Sequence, residues 1–567
     1  MQNFDDLDFY QSLGFRCGLE VHRQLATERK LFCRCPVKDY SQHFDAEILR
    51  HMRPTLSELG EYDPCALMEF KTKKQIIYRL NRETVCTYEM DDAPPFALNR
   101  EALEKALVIA MMLKLNLVDE LHVARKQYLD GSIPTGFQRT LILGVNGYIM
   151  VGGRRVGIRQ LGLEEDACRL VSDIGHKRTF MTDRLSIPLI EIVTEADART
   201  PNEARAIANE IRKLCHLSGL VRTGAGRVRQ DVNVSIRGGA RAEIKGVPSI
   251  RQIPKLAHYE AIRQKALLEL KEIALVRGLD EKAFECEPFL VTEQVIRMGH
   301  PVLSKECAKG GIGCALRFPK CAGLFAFPVG PTRRFADEVA DRVRVIACLD
   351  KMPNIAHSDE ITIRGGVFEE IMRITGAREA DLVVVVAGPE EDVKTAIEEI
   401  KTRMKEMLVG VPPETRRALP TGETEFERLL PGPQRMYPDT DLPPVVLKTE
   451  DFTRAREQKP EDLQTVVQRL KALGLSDQQV DNLIIKDRVK LFEEASKVVK
   501  LRPTILAYLL GDYLDLLVRK YPGHQVTKEM LRKLFGKEDA VTTRQKEAAL
   551  MLEKAMALQG AQDGGEA

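Results

Sequence analysis

Acidic side chains inside apolar, strand-like runs are the first sign of chemistry in this sequence. Glu191 lies in the middle of the apolar run 189–193, which is typical of a β-strand. A carboxylate there must be paired, bind a metal or lie at an edge, because burying an unpaired charge is costly. Glu165 belongs to the acidic run 163–166, where like charges repel unless a cation relieves them.

Two further pairs of polar residues are spaced so that both members face the same side of a strand. Asp231 and Asn233 lie two apart in a β-branched run, and Glu20 and His22 lie two apart in the run 18–22. An acid and an imidazole at this spacing can share a metal ion or a proton. The alternative is an ordinary exposed polar face. Several acids grouped together are most useful for holding a divalent cation.

The acidic segment is followed by a basic one. Lys and Arg outnumber acids between Val221 and Glu260, and they include Arg229 and Lys245. Acids that hold a metal and bases that hold phosphate suit a site for a nucleotide or for the end of a nucleic acid. The alternative interpretation of the charges is a solvated face.

Cys33 and Cys35 offer two thiolates one residue apart, half of a zinc site. No second closely spaced cysteine pair exists in the sequence. The remaining ligands would come from Cys65, Cys86, His43 or His51.

The composition indicates a multidomain globular protein. The chain has 567 residues and a formal net charge of only +2, which argues against a general polyanion binder. No apolar run approaches the ~20 residues of a membrane span, and the amino terminus does not resemble a signal peptide. The twelve cysteines lack the spacing of secreted domains, so we expect a cytoplasmic protein without membrane contact. The common phosphate-binding motifs, GxxxxGK[ST] and GxGxxG, are absent.

Periodicity and turn residues predict the elements that position these side chains. Helices are expected over 100–115, over 202–218 with Thr200 as the cap, and over 254–277. Asn146 and Gly147 predict a hairpin turn between strands 140–145 and 148–151. The Pro- and Arg-rich segment 410–444 is expected to form neither a helix nor a central strand, and to be a linker or a phosphate-facing loop. A buried strand is expected over 381–387 and an amphipathic helix over 389–408. Helical pieces follow from about residue 449 to about residue 558, among them one over 503–519, before an irregular end over 559–567.

Short motifs spread along the chain resemble one known family, the B and E subunits of the tRNA-dependent amidotransferases (GatB/GatE). The motifs are 18–22 (GLEVH), 30–35 (KLFCRC), 163–166 (LEED), 188–195 (PLIEIVTE), 231–235 (DVNVS), 243–245 (EIK) and 435–444 (RMYPDTDLPP). The last of these, and the insertion that begins near residue 287, make the chain similar to the archaeal E subunits.

The resemblance implies an α+β multidomain fold. The expected parts are a catalytic cradle over 1–286, an insertion domain like that of bacterial aspartyl-tRNA synthetases over 287–409, a return to the cradle over 410–448, a helical domain over 449–510 and a tail domain over 511–567.

The resemblance also implies a reaction. Glutamate on tRNA(Gln) would be phosphorylated by ATP and then amidated with ammonia from an asparaginase-like D subunit. His22, Glu165 and Glu191 would bind Mg²⁺, with Glu20 and Asp231 close by. Arg229, Asn233 and Lys245 would face the nucleotide phosphates. Two other classes stay open: a tRNA-binding scaffold with structural acids, and a metal-dependent hydrolase that needs no ATP.

Overall fold

The computed structural model describes residues 3–57, 60–360 and 366–563 and shows a mixed α/β, multidomain chain. The strands, in chain order, are β1 (Arg16–Gln24), β2 (Ala46–Arg50), β3 (Gln75–Leu80), β4 (Asn116–Leu117), β5 (Glu120–Leu121), β6 (Ala124–Gln127), β7 (Phe137–Val151), β8 (Arg154–Glu165), β9 (Arg169–Ile174), β10 (Lys177–Met181), β11 (Pro188–Thr194), β12 (Val228–Ser235), β13 (Ala242–Lys245), β14 (Phe289–Leu290), β15 (Ile312–Phe318), β16 (Ile355–His357), β17 (Leu382–Gly388), β18 (Glu414–Ala418), β19 (Thr424–Leu429), β20 (Met436–Pro438) and β21 (Val445–Val446).

Helices cover the apolar side of the sheets and form most of the carboxyl-terminal region. In chain order they are α1 (Leu7–Leu13), α2 (Pro64–Lys71), α3 (Arg100–Met112), α4 (Pro201–Ser218), α5 (Ile253–Val276), α6 (Thr292–Met298), α7 (Leu303–Ala308), α8 (Phe335–Ile346), α9 (Val367–Ile374), α10 (Glu390–Val409), α11 (Thr449–Gln458), α12 (Leu463–Ala472), α13 (Asp477–Ile485), α14 (Val489–Ser496), α15 (Pro503–Tyr508), α16 (Leu514–Lys520), α17 (Lys528–Phe535) and α18 (Gln545–Asp563). Thr200 caps α4 as predicted, because its hydroxyl accepts from the Glu203 amide.

The largest sheet organises the molecule. Its strand order is β19-β18-β13-β12-β1-β11-β8-β7-β6-β20, with β4 paired to β7. Only residues 430–435 connect β19 at one edge to β20 at the other, and six residues span at most about 20 Å. The edges therefore approach each other: Arg428 on β19 lies 3.4 Å from Asp130, which follows β6. The sheet is thus strongly curved, with a concave side.

Strand alternation gives the two faces of this sheet different chemistry. Side chains such as Val21, Ile190 and Val232 are buried in one apolar cluster with residues of α3, α4 and α5. The alternate positions carry acids, bases and His22, and they lie on the concave side. One face therefore supplies the core and the other is available for chemistry.

The predicted hairpin at Asn146 and Gly147 is wrong. β7 runs through both residues without a turn, and the hairpin to β8 is made by Gly152 and Gly153, both at positive φ. Asn146 also has a positive φ of 56°. A Cβ on Gly147 would lie 2.4 Å from the Leu113 carbonyl oxygen, so glycine is needed there for close packing of the backbone.

The expectation that 410–444 contains no central strand is also wrong. β18 lies inside the large sheet, parallel to β13 and antiparallel to β19. The prolines at 412 and 413 precede β18 and therefore remove no hydrogen bond from its ladder. Arg416 is completely buried in an ion-pair network and is not in a phosphate-facing loop.

The described residues between 289 and 409 form a separate sheet, β14-β15-β17-β16, which packs with α6 to α10 around two apolar clusters, one of them shared with α5. The predicted strand over 381–387 and helix over 389–408 are confirmed as β17 and α10. A buried network of ion pairs joins this unit to the large sheet. Arg263 of α5 lies 2.6 Å from Glu338 of α8 and also pairs with Glu414 of β18. Arg416 lies 2.8 Å from Glu338.

The carboxyl-terminal helices follow the predicted apolar spacing, with two differences. The helix expected over 503–519 is divided into α15 and α16 by a π-turn over Leu509–Tyr513. The irregular end expected over 559–567 is wrong for residues 559–563, because α18 continues to Asp563. Residues 564–567 lie outside the described part of the chain. Among the described residues, no helix has both the length and the apolarity needed to cross a bilayer.

The buried network yields a test of stability. Arg263→Met should lower the free energy of unfolding by about 3–5 kcal/mol, because it leaves Glu260, Glu338 and Glu414 short of a buried partner. Urea denaturation followed by circular dichroism measures the change. Arg297→Met, which removes an exposed pair with Glu370, is the control and should change stability little. Equal losses in the two variants would contradict a stabilising role for the network.

Candidate functional site

A row of side chains crosses the concave face of the large sheet at its centre. The strand register aligns Gly162 of β8, Glu191 of β11, His22 of β1 and Arg229 of β12. Gly162 leaves space beside Glu191: a Cβ there would be 3.6 Å from the Glu191 Oε2 atom. Residues far apart in the sequence are thereby neighbours, because antiparallel pairing sets them side by side.

His22 lies between two carboxylates. Its Nε2 atom is 3.3 Å from Glu191 Oε1 and 3.7 Å from Glu164 Oε1. Lys126 Nζ lies on the other side of the acids, 2.8 Å from Glu164 Oε2 and 3.4 Å from Glu191 Oε2. The side chains of His22 and Glu191 are 12% and 13% exposed, so the group is mostly buried but keeps some access to the concave side.

A second group of acids lies beside the first. Glu20, Asp231 and Glu243 can each place a carboxylate oxygen within 4.8 Å of the others. Lys245 Nζ lies 2.7 Å from Glu243 and 3.2 Å from Asp231. Asn233 donates from Nδ2 to Glu20 Oε1 at 3.1 Å, whereas its buried Oδ1 has no partner among the described residues. The predicted residues Glu20, Asp231, Asn233 and Lys245 are therefore brought together.

Glu165 does not join His22 and Glu191, contrary to expectation. Its side chain points to the opposite side of β8, where it accepts from the Tyr88 hydroxyl at 2.7 Å and the Ser186 hydroxyl at 2.9 Å. Glu164 takes its place on the concave face. The physical reason is strand alternation, which sends adjacent residues to opposite faces.

Arg229 lies at the end of the central row but is already paired. Its guanidinium donates to Asp166 Oδ1 at 2.7 Å, and Gln24 donates to Asp166 Oδ2 at the same distance. The Arg229 side chain is nevertheless 29% exposed, so it borders the concave face.

Burial and neighbouring charges shift the pKa values of the side chains in both acid groups. Burial lowers the pKa of His22, but the hydrogen bond to Glu191 and the charges of Asp231 and Glu164 outweigh it and raise the pKa to about 9. Burial raises the pKa of Glu191, but Lys126 and His22 outweigh it and hold that pKa well below its ordinary value. Burial, with the charges of Glu243 and Glu191, raises the pKa of Glu20 to about 7.

The donor set fits a hard divalent cation. Carboxylate oxygens are the ligands that Mg²⁺ prefers, and Glu164 and Glu191 can each offer one near His22, within 4.8 Å of each other. His22 Nδ1 is buried and has no partner in the described part of the chain, so Nε2 is the nitrogen that faces the acids. Lys126 and a protonated His22 balance the two carboxylates as the structure stands.

A thiol cluster lies apart from the concave face. Cys33, Cys35, Cys86 and Glu89 can place their ligand atoms within 4.8 Å of one another. Glu89 is also 2.7 Å from the buried Lys30 ammonium. Of the proposed partners for the Cys33 and Cys35 pair, the structure thus selects Cys86; Cys65 and the two histidines are not in the cluster.

Sequence reasoning missed Glu164, Glu243 and Lys126. For Glu164 a signal was present: Leu161 and Leu163 alternate into the core, which places Glu164 on the polar face and Glu165 on the other. Glu243 alternates in the same way with buried Ile244. Lys126 gave no local signal, because its role depends on β6 lying near β8 across the curved sheet.

Comparison with known proteins relates the chain to one protein family. The family model for the GatB/GatE catalytic domain matches residues 15–453. The E subunit of the glutamyl-tRNA(Gln) amidotransferase of Sulfolobus acidocaldarius is 40% identical over 513 residues, covering 89% of this chain and 80% of that protein. The corresponding protein of Methanopyrus kandleri is 40% identical over 541 residues (93% and 84%), and that of Methanocaldococcus jannaschii is 38% identical over 527 residues (92% and 82%).

The matched region contains every strand of the large sheet and both acid groups on its concave face. The similarity therefore extends over the site as well as the fold. The chain belongs to the GatB/GatE family, among its glutamyl-tRNA(Gln) amidotransferase E subunits.

Proposed function

We propose that this chain activates and amidates glutamate carried on tRNA(Gln). An oxygen of the glutamate side-chain carboxylate bonds to the terminal phosphorus of ATP, and ADP leaves. Ammonia then attacks the acyl carbon, the carbon–oxygen bond to phosphate breaks, ammonia gives up a proton, and Gln-tRNA(Gln) and inorganic phosphate are formed. The observation that carries the proposal is the pair of acid groups side by side on an open, curved face, in a chain of this family.

Glu164 and Glu191 would hold Mg²⁺, with Glu20, Asp231 and Glu243 next to them. His22 would join them as a ligand through Nε2 once it has lost its proton, because only the neutral imidazole binds a metal. When bound, the ion neutralises the charge on the phosphates, which is the main requirement of phosphoryl transfer. Lys126 orients Glu164 and Glu191 by contacting one oxygen of each. Lys245, Arg229 and Asn233 border the acids, where the two cations offer positive charge to a phosphate and the amide offers a hydrogen bond.

We further propose the partners and the arrangement of domains. An asparaginase-like D subunit releases ammonia from glutamine and passes it to the concave site. The part 287–409, similar to an aspartyl-tRNA synthetase insertion, contacts the tRNA, as do the helical domain 449–510 and the tail 511–567. The parts 1–286 and 410–448 bind ATP. The scaffold alternative requires acids fully sealed by salt bridges. Lys126 does pair with Glu164 and Glu191, but the His22 and Glu191 side chains keep 12% and 13% exposure toward the concave face.

The thiol cluster is proposed to bind zinc. Three thiolates and one further ligand match the usual four-coordinate structural site. Glu89, which accepts from Lys30 through Oε1, lies within reach of the fourth position. The ion would tie the loop at residues 33–35 to the turn at residues 86–89.

The reaction is tested with Glu191→Gln. The variant should lose ATP-dependent amidation of Glu-tRNA(Gln) by a factor of about 100 or more, since a ligand acting on the transition state is removed. Binding of the tRNA should be unchanged in a filter-binding assay. Product is measured by separating glutamine from glutamate after deacylation. Near-normal activity would contradict the proposal, and hydrolysis of the aminoacyl-tRNA without ATP would favour a hydrolase-type metal site.

The metal ligands are tested by comparing Glu164→Gln with Glu165→Gln. Glu164→Gln should weaken Mn²⁺ binding, measured by electron paramagnetic resonance, because it removes a charged oxygen from the cluster. Glu165→Gln should leave Mn²⁺ affinity unchanged and lower thermal stability, because it disturbs the contacts with Tyr88 and Ser186. The reverse pattern would restore Glu165 as the ligand.

Zinc is tested by metal analysis of the purified protein. Elemental analysis should find about one zinc ion per chain, and Cys86→Ser should abolish it because a ligand is removed. Cys65→Ser is the matched control, since Cys65 is buried elsewhere and should leave the zinc content unchanged. Absence of zinc from the native chain, or its retention in Cys86→Ser, would contradict the assignment.

A further inference from the structure

The place where the two edges of the large sheet meet contains a group of cations around one phenol. Tyr128 follows β6, and the guanidinium carbons of Arg428 and Arg435 lie 5.7 Å and 5.3 Å from the centre of its ring. Arg428 comes from β19 at one edge of the sheet, and Arg435 directly precedes β20 at the other. None of the three was among the expected site residues, although the two arginines belong to the segment 410–444, for which a linker or a phosphate-facing loop was expected.

The two arginines are incompletely paired within the described part of the chain. Arg428 is only 7% exposed, its buried Nε has no partner in the described part of the chain, and its one ion pair, with Asp130, is long at 3.4 Å. No carboxylate of the described residues lies within 4.0 Å of the Arg435 guanidinium, whereas most partly buried arginines of this chain have such a partner. The Arg428 Nε atom is a buried donor without an acceptor, which is costly, and the half-buried Arg435 carries a charge without a carboxylate partner, so an anionic ligand would satisfy both.

The group is continuous with the acid site. Tyr128 lies two residues after Lys126 and therefore on the same side of that strand. The register runs from Glu243 to Thr415 and on to Arg428, so Arg428 is two strands from the second acid group. Lys245 is close enough to both Arg428 and Tyr128 for each to affect its pKa. Lys126, Lys245, Arg428 and Arg435 thus lie on the same side of the sheet as Tyr128, together with the acids Asp130 and Glu243 that pair with Arg428 and Lys245.

We propose that Arg428 and Arg435, with Tyr128, form a subsite for the polyphosphate chain of a nucleotide. The inference rests on the proposed function and adds to it the residues that hold the phosphates. Two planar guanidinium groups offer the fork of donors that matches phosphate oxygens. The several negative charges of a triphosphate match several cations, whereas one phosphodiester group of an RNA carries a single charge.

The position of the subsite also suits the chemistry. A triphosphate held by the two arginines lies along the concave face toward Lys245 and the two acid groups, where a divalent cation would meet its oxygens. Tyr128 supplies a flat support for both guanidinium groups and a hydroxyl with no hydrogen-bond partner among the described residues. The arginines are positioning residues for the nucleotide in this scheme.

The test measures equilibrium binding with the full chain. Isothermal titration calorimetry with ATP and with inorganic triphosphate, each with Mg²⁺, gives the dissociation constants. Arg435→Gln should weaken both ligands by about ten- to a hundred-fold, the range expected for a lost charged hydrogen bond. Arg435→Lys keeps the charge, so its dissociation constants should lie between those of Arg435→Gln and those of the native chain. Mn²⁺ affinity without nucleotide should not change.

Arg125→Gln is the matched control. Arg125 is on the same strand as Lys126 but on its other side, where it stacks on Phe137, and its loss should leave ATP binding unchanged. Normal ATP and triphosphate binding by Arg435→Gln would overturn the inference and leave the proposed function standing. Weaker tRNA binding with normal ATP binding would overturn it as well, because the arginines would then serve an RNA phosphate. A native chain that binds no ATP would overturn both proposals.

Discussion

The alternation of side chains along antiparallel strands is the constraint on which this molecule depends. In the central strands every second residue is apolar and enters the core under α3, α4 and α5, which commits the remaining residues to the opposite face. Acids can collect on that face without losing all contact with water. A cluster of this kind would be too costly in the core, since each carboxylate would need its own buried partner.

The concave face keeps its acids stable by balancing charge. Lys126 forms ion pairs with Glu164 and Glu191, and Lys245 forms ion pairs with Asp231 and Glu243. Such pairs stabilise the folded state, and the 13% exposure of the Glu191 side chain leaves that carboxylate within reach of the concave side. A site for a cation and a highly charged substrate needs this compromise, because carboxylates left bare repel each other and carboxylates fully sealed bind nothing.

Two features position the arginines at the edges of the large sheet. They are the curvature of the sheet and the buried ion pairs of Arg263, Glu338 and Arg416. The curvature brings edge strands β19 and β20 to one place, so that Arg428 and Arg435 meet although they belong to opposite ends of the sheet. The ion pairs fix the unit 289–409 against α5 and β18. Because β18 and β19 follow that unit in the chain, its attachment also positions the strand that carries Arg428.

The sequence by itself determined the local features. Periodicity predicted α4 and its cap, β17 and α10. Alternation correctly placed Glu20 and His22 on one face of a strand, and likewise Asp231 and Asn233. Both kinds of prediction depend only on residues close together in the chain. The tertiary structure decided the rest. It placed Glu164 where Glu165 was expected, made β7 continuous through Asn146, and turned an apparent linker into β18. Strand register, sheet curvature and pairing between distant segments are set by contacts across the whole core, and no local pattern records them.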